Sequence, residues 1–155
     1  DPYEKAIEAL DQVQPGHLII ATGEPGMEVG IFGELSATRV ANAGGLGALI
    51  NGFTRDGRKL LEMDFPILCK GISPVDTTGR ARVAEYNVPV EIGGRRIEPG
   101  QIVFADYDGI VVIPAENEQE ILRQLVERLD VEDKVREGLK SGATMQEMWD
   151  RYHVL

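Results

Sequence analysis

Hydrophobic positions in this chain fall first at helical spacing, then in short unbroken runs, and at helical spacing again near the end. Over residues 3–13, Ile7, Leu10 and Val13 share one side of a helix with charges opposite. Pro15-Gly16 stops that helix, and His17-Leu-Ile-Ile-Ala-Thr22 reads as a strand, with turn chemistry in Gly23-Glu-Pro-Gly-Met27. Glu34 to Ala43 holds good helix formers, with Leu35, Thr38 or Arg39, and Asn42 a turn apart, and Gly44-Gly45 ends it. An apolar strand from Gly47 to about Gly52 follows, then a helical turn through Lys59–Glu62, then a third strand over Phe65–Gly71. Helix and strand alternate, which predicts an α/β fold with parallel pairing.

After Gly71 the pattern changes. Residues 72–80 read as a loop, Ala81–Ile92 alternates as a strand, and Gly93-Gly94 is a hairpin turn leading through Arg95–Pro99 to Gly100. Gln101–Asp106 and Gly109–Pro114 are two more strands, joined by Tyr107-Asp108. A long helix runs from about Ala115 to Gly138, with Ile121, Leu122, Leu125, Val126, Leu129 and Val135 as its apolar stripe. Such a stripe marks core or subunit interface more often than a cofactor site. Gly142 separates it from a last helix, Thr144–Tyr152.

Composition narrows the picture. With 155 residues and 43% hydrophobic content, the chain can bury one substantial core. No window nears about eighteen consecutive apolar residues, so no transmembrane helix and no membrane partner are expected. The start, Asp1-Pro-Tyr-Glu-Lys, lacks the regions of a signal peptide and has no initiator Met, so the chain is expected to be processed or a piece of a longer one. The single cysteine, Cys69, excludes an intramolecular disulfide and fits a reducing cytoplasm. A net charge of −10 argues against a nucleic-acid partner, because phosphate binding rests on Lys and Arg. The acidic excess lies in the C-terminal third and reads as a solvated helical face.

Candidate chemistry gathers at the strand ends. Arg55-Asp56 follows the Gly47–Gly52 strand and joins a planar carboxylate-binding fork to hard oxygens suited to a divalent cation. Taken alone, the pair reads as a surface ion pair at a helix start. Gly33 stands at a helix N-terminus, where free N–H groups cradle anions, although an acidic first turn such as Glu34 is also commonplace. Together, Gly33, Glu34, Arg55 and Asp56 all fall beyond strand C-termini, where α/β sheets collect ligands. That convergence favours a site. His17 reads as a locally bonded residue. Asp106 and Asp108 have metal-ligating chemistry, but a tight turn is the commoner use of Asp.

These residues resemble a known family, the RraA-like proteins, which include the divalent-metal-dependent 4-hydroxy-4-methyl-2-oxoglutarate aldolases. The likeness runs from about residue 2 to the C-terminus. It is carried by Pro15-Gly16, Gly33-Glu34-Leu35, Gly52-Phe-Thr-Arg55-Asp56, Gly79-Arg80, Pro99-Gly100 and Ala105-Asp106-Tyr-Asp108-Gly109-Ile-Val-Val. Its most specific element is spacing: an acid, twenty residues, then Arg-Asp, here Glu34, residues 35–54, and Arg55-Asp56.

The resemblance implies a layered α/β/β/α sandwich similar to the swivelling phosphohistidine domain. An α/β domain would span residues 1–114, and C-terminal helices over 115–155 would pack on it or on a neighbouring subunit. It implies Arg55, Asp56 and Glu34 as catalytic residues, with Asp56 binding Mg2+ or Mn2+ directly and Glu34 holding it through water. Arg55 would pair with the carboxylate of a small 2-oxo acid, and backbone N–H groups of Gly33, Glu34, Leu35 and Ser36 would hold the pyruvyl end. Cleavage of a 4-hydroxy-2-oxo acid would proceed through a pyruvate enolate, with oxaloacetate decarboxylation as a side activity. The assembly would be a homotrimer or dimer of trimers, in which Glu132 of a neighbour, or its rival Asp133, completes the metal site. The family also contains regulators of ribonuclease E that act by protein–protein contact, and this is the alternative reading. A menaquinone methyltransferase label attached to such sequences finds no glycine-rich nucleotide loop here. Two departures stand out. Lys59 occupies the position, three residues after Asp56, where family aldolases often carry an acid, and the helix and strand that usually precede this point are lacking, which would leave a sheet edge open or filled by another chain.

Overall fold

The computed structural model describes residues 3–154. These form two compact units that divide after Gly100.

The first unit holds α1 (Glu4–Asp11), β1 (Leu18–Thr22), β2 (Gly30–Phe32), α2 (Glu34–Asn42), β3 (Gly47–Thr54), α3 (Gly57–Glu62), β4 (Ile67–Ile72) and the hairpin β5 (Val90–Ile92) and β6 (Arg95–Ile97). Four strands make a parallel sheet centred on β3. β4 follows one edge of β3 through most of its length, pairing Ala48 with Ile67 and Thr54 with Ile72. β1 and β2 therefore share the other edge, β1 against Gly47–Asn51 and β2 against Phe53 and Thr54. The consequence for function is direct. Inserting β2 beside the last residues of β3 brings the start of α2 next to the β3 terminus.

β3 is buried along nearly all of its length, as a central strand covered on both faces must be. Ile50 and Ala48 pack with Phe32, Val40, Leu60 and Phe65 into the core, and the Phe32 and Phe65 rings stack with centroids 6.0 Å apart. Helices α2 and α3 contribute Ala37, Val40 and Leu60 to that core, which explains their inward faces.

The helices and strands read from the hydrophobic pattern are present, with two differences. β2 has no signature in the hydrophobic pattern, because three residues give no periodicity. The alternating stretch Ala81–Ile92 forms a strand only over Val90–Ile92. Asn87 takes a positive φ of 54° and Pro89 has no N–H to give, so a ladder cannot run through them. The segment is instead held by side chains of α1 and its C-cap: Lys5 donates to the Ala84 carbonyl, and Gln12 bonds to Tyr86 and Asn87. The turn Gly93-Gly94, both at positive φ, closes the β5–β6 hairpin as expected.

The second unit holds the antiparallel hairpin β7 (Ile102–Ala105) and β8 (Ile110–Ile113), a short 3-10 turn at Ala115–Asn117, α4 (Glu118–Lys140) and α5 (Met145–Tyr152). α4 is laced by ion pairs one turn apart, such as Arg123 with Glu120 and Glu127, while Leu125, Val126 and Leu129 stay largely exposed. α5 starts on a reciprocal capping box between Thr144 and Glu147. No helix among the described residues is long and apolar enough to cross a membrane.

Candidate functional site

The first unit brings Gly33, Glu34, Arg55 and Asp56 together where β2 and β3 end and α2 and α3 begin. β3 stops at Thr54, whose buried hydroxyl donates to the Phe32 carbonyl at 2.8 Å, and the Arg55 N–H donates to the same carbonyl at 2.8 Å. Both bonds anchor the chain at the turn from strand to helix. Asp56 then takes a left-handed conformation, φ 59° and ψ 30°, as the residue capping α3. A non-glycine residue holds that conformation at some cost, and Asp tolerates it better than most.

The carboxylate of Asp56 reaches across to the start of α2. The Glu34 N–H donates to its Oδ2 at 3.0 Å, and the Arg55 Nε lies 3.8 Å from the same oxygen. Its Oδ1 receives no hydrogen bond from the described residues, and the side chain is 44% exposed. Gly33 makes this approach possible: a Cβ there would sit 2.6 Å from Asp56 Oδ2 and 2.9 Å from Arg55 Cγ. With Glu34 N–H engaged and Ala37 N–H the first to bond back, to the Gly33 carbonyl at 3.0 Å, the N–H groups of Leu35 and Ser36 have no partner among the described residues. They point along the positive end of the α2 dipole.

Arg55 is held on one side. Its Nη1 donates to the Gly30 carbonyl at 2.7 Å and lies 3.7 Å from Asp76 Oδ2, whereas Nη2 has no bond to the described residues. Asp76 is held well below the usual carboxylate range, to about 2, first by the Thr78 hydroxyl and then by the Thr78 N–H, with Tyr3 and the Arg55 charge adding and partial burial opposing.

The remaining sequence candidates fall elsewhere. The Glu34 carboxylate accepts from the Thr38 hydroxyl at 3.3 Å, so its contact with Asp56 runs through its backbone. Leu35 is exposed, and Lys59 pairs with Glu62 at 3.5 Å. Glu132 lies on α4 in the second unit, where Arg128 donates to it at 2.9 Å, and Asp133 is bonded by Arg136. Asp106 accepts from the N–H groups of Asp108 and Gly109, the turn use of an aspartate, and His17 Nδ1 accepts from the Gln14 N–H. Asp76 and Tyr3 carry no functional motif in the sequence, where residues 72–80 read as a loop. The Asp76-Thr77-Thr78 run is a side-chain-to-backbone turn signature that could have marked the position.

A cation such as Mg2+ binds through one or two carboxylates and keeps several waters. Asp56, with one oxygen pinned by the Glu34 N–H and the other without a partner among the described residues, fits that requirement. A cage made wholly of this chain does not, since the described residues contain no cluster of three or more His, Cys, Asp or Glu able to hold a metal.

Comparison with known proteins adds an independent line. The profile of the RraA-like family, described as Aldolase/RraA, matches residues 2–112. A protein of Halalkalibacterium halodurans named "Putative 4-hydroxy-4-methyl-2-oxoglutarate aldolase" is 28% identical over 139 residues, covering 90% of this chain and 65% of that protein. The chain thus spans less than two thirds of that relative's length. The crystal structure of Streptomyces coelicolor RraAS2, described as an unusual member of the RNase ES inhibitor RraA protein family, matches with TM-score 0.75 and 31% identity over 84% of this chain and 67% of that one. An uncharacterized protein of Pseudomonas syringae pv. tomato shares the fold with TM-score 0.82 and 24% identity, over 89% of this chain and 69% of that one.

Proposed function

Because this chain belongs to the RraA-like family, Aldolase/RraA, we propose that it is a divalent-metal-dependent lyase that cleaves a 4-hydroxy-2-oxo acid to pyruvate. The observation carrying this reading is the hydrogen bond from the Glu34 N–H to Asp56 Oδ2, which seats a half-exposed carboxylate at the N-terminus of α2 beside Arg55. One motif is thereby joined to the other across the intervening twenty residues.

Each residue takes a role from its contacts. Asp56 would hold Mg2+ or Mn2+ directly, and Glu34 through water. The cation, when bound, supplies electrostatic stabilisation for negative charge developing on the pyruvyl oxygens. Arg55 is fixed through Nη1 and offers its Nη2 edge to the substrate carboxylate, a fork well matched to that anion. The open N–H groups of Leu35 and Ser36 receive the pyruvyl end at the helix terminus. Oxaloacetate decarboxylation develops the same charge and belongs to the same reading as a side activity. A homotrimer or dimer of trimers would add Glu132 of a neighbouring subunit to the metal site.

The test is pyruvate release from 4-hydroxy-4-methyl-2-oxoglutarate or oxaloacetate with Mg2+, followed by a coupled assay. Asp56→Ala should lower the rate by on the order of a hundredfold or more, the scale seen when one stabilising group is removed. Undiminished release in that variant, or none from the unaltered protein, would reject the lyase.

The similarity to RraAS2 favours one second reading, a regulator that binds a ribonuclease E-type enzyme by protein contact. Stoichiometric capture of such a nuclease by the purified chain, with no pyruvate chemistry, would put this reading first.

A further inference from the structure

Residues 73–78 are sewn to the strands beneath Arg55. The Ser73 N–H donates to the Thr54 carbonyl at 2.8 Å, its hydroxyl to the Glu28 carbonyl at 2.6 Å, and the Gly30 N–H to the Val75 carbonyl at 2.9 Å. The segment therefore has little freedom, and Asp76 is delivered to Arg55 from a fixed base. Its Oδ1 receives the Thr78 N–H at 2.7 Å and the Tyr3 hydroxyl at 3.1 Å, while its Oδ2 faces Arg55 Nη1 at 3.7 Å. Tyr3 in turn accepts from the buried Thr77 hydroxyl at 3.2 Å. One carboxylate oxygen is thus used to hold Asp76 itself, and the other is free to act on the guanidinium.

We propose that Asp76, braced by Tyr3, is a positioning residue that fixes the Arg55 guanidinium through Nη1 so that Nη2 stays open for the carboxylate of a 2-oxo acid. The proposal rests on the carboxylate-binding role of Arg55 given above. Three features argue for positioning rather than mere loop structure. The Gly30 carbonyl and Asp76 act on the same nitrogen, so the fork is held from one end. Arg55 is only 27% exposed, so it is confined rather than waving in solvent. Asp76 keeps its negative charge at all ordinary pH values, so the restraint is permanent. A rotamer-rich side chain that is ordered before binding loses less freedom when the ligand arrives.

Asp76→Asn is the informative change, because it keeps the shape and the Thr78 bond but removes the charge. Nitrogen-15 relaxation of the Arg55 Nε–H, without metal or substrate, reads the restraint directly. The unaltered protein should show an ordered guanidinium, and Asp76→Asn an order parameter falling below about 0.6. Tyr3→Phe removes one brace and should loosen Arg55 by a smaller amount, which also serves if Asp76→Asn does not fold. In pyruvate-release kinetics, Asp76→Asn should raise KM roughly tenfold with a much smaller change in kcat, the pattern of a lost ground-state contact. Asp76→Glu should regain part of that KM. An Arg55 as ordered in Asp76→Asn and Tyr3→Phe as in the unaltered protein overturns the proposal, as does an unchanged KM. If the unaltered protein releases no pyruvate, the lyase reading fails by itself, and the relaxation data still decide whether Asp76 positions Arg55.

Discussion

A methyl group at position 33 would occupy the space that Asp56 uses to reach α2. The Cβ of an alanine would lie 2.6 Å from Asp56 Oδ2 and 2.9 Å from Arg55 Cγ, closer than a Cβ packs against either atom. Backbone strain is not the reason, because Gly33 is extended, with φ −152° and ψ −170°. The constraint is proximity alone. Gly33→Ala should therefore break the Glu34 N–H bond to Asp56 and push both functional side chains aside. The unfolding free energy should drop by about 1–3 kcal/mol, as for other overpacked sites. Pyruvate release should fall at least as far as in Asp56→Ala, measured beside chemical denaturation of the same preparation. A variant that keeps full activity would show that the two carboxyl-bearing segments need not meet.

At the scale of elements, the hydrophobic pattern is a faithful guide where a segment carries apolar residues towards the core. β3 is buried along nearly all of its length, β1 and the first residues of β4 are apolar and half-buried, and α2 carries Ala37 and Val40 inward, so these are legible in the sequence. β2 is not, since its three residues are defined by pairing to Phe53 and Thr54 rather than by any period of their own. Residues 81–88 misled in the opposite sense: they alternate, yet Asn87 and Pro89 deny them a ladder and most of their side chains stay in solvent. The same division holds for the site. Gly33, Glu34, Arg55 and Asp56 could be read because strand ends and a helix start announce themselves locally, whereas Asp76 could not, since it meets Arg55 only through the folded chain. Local signals also carry the α5 start. The Thr144 hydroxyl accepts from the Glu147 N–H at 3.2 Å, and the Glu147 carboxylate accepts from the Thr144 N–H at 2.7 Å. Thr144→Ala should lower stability by about 1 kcal/mol, with Thr144→Ser close to the unaltered chain, as read by denaturant midpoints at constant slope. An equal loss in both variants would mean that the cap is not what starts this helix.

For the whole molecule, the question is what would complete the metal site proposed above. Asp56 and Glu34 are two carboxylates, one of them already bonded to Thr38, and no three-residue metal cluster exists among the described residues. Beyond the described residues, the proposed cation would draw its further ligands from water, substrate or another chain. α4 leaves Leu125, Val126 and Leu129 45–60% exposed in one stretch, and Glu132 lies one turn beyond Leu129 on the same helix. An oligomer that covers this stretch would account for both observations. If Glu132 is shared between subunits, Asp56→Ala and Glu132→Ala should each be inactive as pure proteins and should complement one another when mixed. In a cyclic assembly formed from equal amounts of the two, about one interface in four joins an intact Asp56 to an intact Glu132, so activity should return to about a quarter of normal. The mixture must be unfolded and refolded together, with each variant treated alone as the control. Recovery that needs co-refolding supports a site built from two chains. Activity retained by Glu132→Ala alone would leave the metal to Asp56, Glu34 and water, and would return Glu132 to its visible role as the partner of Arg128.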